Sequence, residues 1–223
     1  MLLVDCAAPP WCWCEPRIGR RLAAIAEAEG NHREEIAQLD RAMAEFDALG
    51  PKVEYGAIVG QAYARAGEAK KAKQILDKIA PIANDRIEDQ AAYLALLKAE
   101  VAAAQGDLNA ALQFLKPPAA GDSNATAVVT REALAHIYQM MGNRDDAIFW
   151  FSQFLRDGPP GWEPQRYWFE AEYTLAEDYE LKGDRTGAIH GLSELLDPWK
   201  GADSSLPLLK KARLLRDRVV TPR

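Results

Sequence analysis

Four segments of this chain carry one spaced pattern: a small residue, a tyrosine or alanine three positions on, a glycine four beyond that, and an alanine five beyond the glycine. They are Gly60-Tyr63-Gly67-Ala72, Ala99-Ala102-Gly106-Ala111, Ala135-Tyr138-Gly142-Ala147 and Ala176-Tyr179-Gly183-Ala188, with the glycines 39, 36 and 41 residues apart. Self-similarity at a period of roughly 20–50 residues marks an array of stacked units, each resting on its neighbours. A chain of 223 residues built this way is not divided by ordinary domain-size arithmetic. Such an array is chiefly a surface for holding another molecule, which tilts the functional question towards binding.

Hydrophobic residues at 48% and charged residues at 27% describe a core-forming chain rather than a disordered one. The net charge of −6 disfavours general phosphate binding, so no nucleic-acid partner is expected. No apolar run approaches the ~20 residues that cross a bilayer. Met1-Leu2-Leu3-Val4 is too short for a signal-peptide core. The expectation is a soluble, cytoplasmic protein with no membrane partner.

Cys6, Cys12 and Cys14 are the only cysteines. Their spacing fits no common zinc framework, and an odd count does not suit a disulfide scaffold. One reading is a labile metal or redox site. The other, favoured because Pro9, Pro10 and Pro16 break any helix, is a disordered tail over residues 1–16.

From Ile18 onward apolar positions recur at intervals of three and four, the helical period. The spacing predicts helix pairs over 17–29 and 32–48, 54–66 and 69–82, 88–105 and 108–116, 126–141 and 144–156, and 166–182 and 185–197, then a last helix over 205–219. Each pair breaks at a glycine, which accepts a left-handed conformation. Asn31, Asp107, Asn143 and Asp184 follow, side chains able to cap the next helix. The second helices run out near Pro81, Pro117, Pro159 and Pro198, which lack the donor for another helical bond. Within a unit, the small residues at Gly60, Ala99, Ala135 and Ala176 are expected to let the partner helix approach, with Ala72, Ala111, Ala147 and Ala188 doing the same on the second helix. Tyr63, Tyr138 and Tyr179 are expected to fill the gap to the next unit.

This pattern, with Leu76, Leu115, Phe151 and Leu192 in the following large-residue slot and a proline after the helix, resembles the tetratricopeptide repeat. Ala23-Ala26-Gly30 looks like a worn fifth copy, with Glu35 in the slot of the close-packing alanine; the unit at Ala99 departs by having Ala102 in place of tyrosine. The resemblance covers about 17–200 and implies an all-α, right-handed superhelical solenoid: a degenerate helix pair over 17–50, four repeats over 51–200 and a C-terminal capping helix in 201–223. The end of the chain, Leu195-Leu196-Asp197-Pro198-Trp199-Lys200-Gly201-Ala202-Asp203 and Leu206-Pro207-Leu208-Leu209-Lys210-Lys211-Ala212, resembles the closing segment of a bacterial group of such proteins. In that group the repeats often follow a serine/threonine kinase or winged-helix domain. No Gly-rich loop, His-Arg-Asp loop or Asp-Phe-Gly occurs here, so what the resemblance implies is a sensory or scaffolding module of a signalling regulator.

A repeat array presents the inner face of each first helix along a groove. With the glycine as register, the groove-facing positions are Gln61, Arg65, Tyr93, Leu96, Glu100, Glu132, His136, Gln139, Tyr173, Glu177 and Glu180. The set becomes acidic towards the C-terminal half, which favours a basic or mixed basic–apolar peptide as ligand; a solvated face that binds nothing tightly is the alternative. In the chaperone-binding members of the resembled family, lysines and asparagines clamp a terminal carboxylate. Ala57, Gln61, Leu97, Val129 and Ala133 stand at those positions, so that ligand class is not expected.

Phe149, Trp150, Phe151, Phe154, Trp162, Tyr167, Trp168, Phe169 and Tyr173 form the densest aromatic stretch, read either as a partner hot spot or as core between the fourth and fifth pairs, with core favoured. Lys210, Lys211, Arg213, Arg216 and Arg218 give the last helix a basic face opposite Leu208, Ala212, Leu215 and Val219, as a terminal cap requires. His32, His136 and His190 fall in different pairs, with no His-Glu-x-x-His or Gly-x-Ser-x-Gly motif. No enzymatic activity, metal or cofactor is expected. The function read from the sequence is protein or peptide binding in the groove. The rival is self-assembly as a homodimer through the aromatic or N-terminal surface.

Overall fold

Gly30, Gly67, Gly106, Gly142 and Gly183 all adopt positive φ, between 73° and 87°. Each ends a helix with the same pair of bonds: the glycine N–H donates to the carbonyl three residues back, and the next N–H to the carbonyl five back. That geometry satisfies carbonyls the helix leaves open, and it needs a residue without a Cβ at the turn. Asn31, Asp107 and Asp184 then accept the N–H groups of Glu34, Ala110 and Gly187, and Asn143 accepts that of Asp146. The Gly30 turn matches the other four, although Glu35 stands in the first pair where the others have alanine.

The computed structural model describes residues 18–119, 121–122, 124–156 and 165–221. The cysteines, Trp162 and the expected tail over 1–16 lie outside the described residues. Among the described residues there are eleven helices and no strand: α1 (Ile18–Ala28), α2 (His32–Leu49), α3 (Val53–Arg65), α4 (Ala69–Ile79), α5 (Glu88–Ala104), α6 (Leu108–Phe114), α7 (Ala125–Met140), α8 (Arg144–Arg156), α9 (Gln165–Leu181), α10 (Arg185–Leu196) and α11 (Pro207–Val220). No helix among them is long and apolar enough to cross a membrane. The start of α7 carries a cap that the glycine breaks did not announce, Asn124 accepting the N–H of Ala127.

Helices pack within pairs, α1 on α2, α3 on α4, α5 on α6, α7 on α8 and α9 on α10, and each pair packs on the next. The alanines Ala72, Ala99, Ala111, Ala135, Ala147, Ala176 and Ala188 are all fully buried, as close axis approach demands. Two expectations about these contacts need correction. Gly60 makes room for the following unit rather than for α4, because a Cβ there would lie 2.6 Å from Cδ1 of Leu97 on α5. Tyr63 reaches the preceding unit, not the next: its hydroxyl donates to Asp40 Oδ1 on α2 at 2.7 Å. In the fifth pair the small residue does serve its partner, since a Cβ on Gly191 of α10 would stand 3.3 Å from the Ala176 Cβ.

The two ends of the array meet. A Cβ on Gly30, at the first turn, would lie 3.1 Å from Cγ of Pro207 at the start of α11. The α11 helix buries Leu209, Ala212, Leu215 and Val219, the last three in a core shared with the last pair, so its apolar stripe runs from Leu209. Leu208, expected in that stripe, instead lines the inner cavity described below.

Candidate functional site

Arg65, at the last position of α3, gathers four helices around one guanidinium. Its Nη2 donates to Glu100 Oε1 of α5 at 2.6 Å, and Nη1 and Nη2 form a fork on the two Glu132 oxygens of α7, each at 2.8 Å. Gln61, one turn earlier on α3, donates to the same Glu100 oxygen at 3.1 Å. The flat face of the guanidinium lies 4.3 Å from the centre of the Tyr167 ring on α9. Side-chain exposure of Arg65, Glu100 and Glu132 is 9%, 2% and 7%, so these charges lie almost out of water and each holds the others in place.

Burial alone would weaken the Arg65 charge, but Glu100 and Glu132 hold its pKa well above the ordinary value. Burial would likewise raise Glu100, yet Arg65 brings it below the usual carboxylate range. Burial and the Arg65 charge push His136 down, keeping its imidazole neutral at neutral pH. The group therefore carries one positive and two negative charges beside a neutral ring.

Next to this network opens a cavity of about 660 Å³. Its walls come from α1 (Glu27, Ala28), α3, α7, α8 (Phe151), α9 and the Trp199–Lys211 stretch, so the closure of first turn on last helix forms one side of it. Six of the residues expected at the groove line it: Arg65, Glu132, His136, Gln139, Tyr173 and Glu177. Gln61 and Glu100 sit behind Arg65 within the network. Tyr93 and Leu96 belong to the packed cores between units, Leu96 at 1% exposure. Glu180 lies at a separate small cleft, paired with Arg218 of α11.

The α9 wall has its own periodicity. Tyr167, Glu170, Tyr173 with Thr174, and Glu177 follow one another at three- and four-residue steps, so ring and carboxylate alternate along one helical face. Tyr173 donates its hydroxyl to Glu177 Oε1 at 2.8 Å, and with burial this raises the phenol to about 12. Phe169 packs on Trp199 with ring centres 4.6 Å apart. The aromatic stretch thus divides. Phe151 and Phe154 are core, Trp168 packs on Phe154 at 5.9 Å, and Tyr167, Phe169 and Tyr173 face the cavity. Phe149 is half-exposed on α8. Trp199 and the Leu206–Lys211 stretch were missed as cavity walls, because no local pattern reports that the chain's end folds back onto its start.

Among the described residues no group of three His, Cys, Asp or Glu side chains is arranged to hold a metal ion. On α11, Arg216 pairs with the adjacent Asp217, and Arg218 with Glu180. In the comparisons with known proteins, no family model matches this chain and no curated protein matches it.

Proposed function

We propose that the chain is a non-catalytic interaction module of tetratricopeptide type, a right-handed superhelix of helix pairs whose inner side holds a segment of a protein or peptide partner. The observation that carries this is the cavity of about 660 Å³, walled by six separate parts of the chain and lined by both aromatic rings and carboxylates. A few polar groups among apolar walls is the composition of a recognition site. Five glycine turns of one geometry support the repeat architecture. The likeness of the chain's closing segment to bacterial signalling proteins suggests a regulator's scaffold as the setting.

The Arg65 network gives this reading a direction. It fills the inner side between α3, α5 and α7 with groups that satisfy one another, leaving room for a ligand only towards α9 and α11. An extended segment suits such a space, which the approach of the first turn to Pro207 bounds on one side.

The test is a display selection of peptides on the full chain, followed by calorimetry of the selected peptides on wild type and Gln139→Trp. Gln139 lines the cavity, and an indole there takes up part of its volume. Loss of binding in a variant with unchanged helical content supports the inner site. Equal binding moves the site elsewhere.

A further inference from the structure

The cavity already contains one occupied cation seat. Arg65 rests on the Tyr167 ring while two carboxylates grip its edge, the arrangement that holds a guanidinium best when water is largely excluded. Six residues further along α9, about 9 Å by helical rise, ring and carboxylate recur, and Arg218, which acts electrostatically on Tyr173, is itself paired with Glu180. Tyr173 and Glu177 are joined by a hydrogen bond, Glu170 stands on the same face, and Trp199 adds a second ring. Arg65 is engaged by Glu100 and Glu132, so on the α9 wall Glu170 and Glu177 face the cavity with Lys211 as the cation on the α11 wall.

We infer that the part of the cavity bounded by Glu170, Tyr173, Glu177 and Trp199 is a second cation seat, built to take the guanidinium or ammonium of an arginine or lysine in an extended apolar peptide. The inference rests on the inner side being the binding surface, and it names what is bound there. The carboxylates supply the charge, the rings of Tyr173 and Trp199 supply faces for the planar cation and its alkyl stem, and the Phe169–Trp199 stack fixes the indole. Lys211, on the α11 wall, opposes a cation and sets the upper limit of affinity. The shared chemistry would also admit a free alkylguanidine, which the experiment separates from a peptide side chain.

The experiment is calorimetric titration of the full chain with three probes: end-blocked leucyl-arginyl-leucine, the same tripeptide with citrulline for arginine, and agmatine. Citrulline keeps shape and hydrogen bonds but lacks charge. The seat predicts that the arginine peptide binds about tenfold tighter than the citrulline peptide, a difference of the size desolvated cation–π and carboxylate contacts provide. Glu177→Gln and Trp199→Leu each abolish most of that preference, while Lys211→Gln increases affinity for the arginine peptide two- to threefold on the same grounds. Agmatine binding as tightly as the peptide assigns the seat to a free cation. Equal affinity for the arginine and citrulline peptides, with binding weakened by Gln139→Trp, overturns the seat and leaves the inner binding surface standing. No saturable response to any probe overturns the seat, and the display selection then decides the inner surface separately.

Discussion

The guanidinium of Arg65 on α3 lies 4.3 Å from the ring centre of Tyr167 on α9, across the inner side of the array. With Glu100 on α5 and Glu132 on α7 it makes one residue the meeting point of four helices. Removing it strands two buried carboxylates, so Arg65→Ala should cost about 3–5 kcal/mol. Arg65→Ala combined with Glu100→Gln and Glu132→Gln should recover part of that loss, because no uncompensated charge remains. Urea denaturation of the three proteins measures both effects. A loss below about 1 kcal/mol for Arg65→Ala would make the network no more than a surface ion pair.

Glu172, on α9 and 7% exposed, has its pKa raised from 4.5 to about 7, by burial first and then by Glu194. A native value above the unfolded one means that the folded chain holds a proton the unfolded chain has released. Its contribution to stability is therefore fully present below about pH 4.5 and is lost as pH rises to about 7. Glu172→Gln, which mimics the neutral acid, should match wild type near pH 4 and exceed it by about 2 kcal/mol at pH 8. Denaturation of both proteins at pH 4, 6 and 8 checks the sign.

Gly60 and Gly67 are required for different reasons and should fail differently. At Gly60 an added methyl meets Leu97, so Gly60→Ala loses about 1 kcal/mol net of its gain in helix propensity. At Gly67 nothing stands within 4 Å, but φ is +82°, so the cost of Gly67→Ala, about 1–2 kcal/mol, is purely conformational. Gly67→Asn should recover much of the second loss and Gly60→Asn none of the first. Thermal melts of the four variants separate the two cases.

Ala147 is fully buried on α8 in the cluster that contains Phe151, Phe154 and Ala171. Ala147→Leu should cost about 1–3 kcal/mol by overpacking. An unchanged melting temperature would contradict the register in which all the repeated alanines serve as contact points.

Local signals made the helix pairs legible. Gly30, Gly67, Gly106, Gly142 and Gly183 mark the turns, and the polar residues after them mark the next starts, so each helix end falls within three residues of its expected place. Six of the residues expected on one face, Arg65, Glu132, His136, Gln139, Tyr173 and Glu177, line one cavity from three different helices, while Tyr93, Leu96 and Glu180 lie elsewhere. What the pattern could not tell was which neighbour each residue meets. Tyr63 and Gly60 share one helix, yet one serves the preceding unit and the other the following unit. Nor could it tell that Arg65, Glu100 and Glu132 would satisfy one another, since charge on a face is the same in sequence whether it awaits a ligand or a neighbour. The meeting of Gly30 with Pro207 brings the first pair against the last helix, and no single segment encodes it.

The most direct test of the inner site is amide hydrogen exchange on the full chain, with and without a peptide obtained by the display selection. Binding in the cavity predicts protection on α9 and from Trp199 to Lys211, with α4 and α6 unchanged. Protection confined to α4 and α6, which contribute nothing to the cavity wall, would place the partner elsewhere and contradict the account.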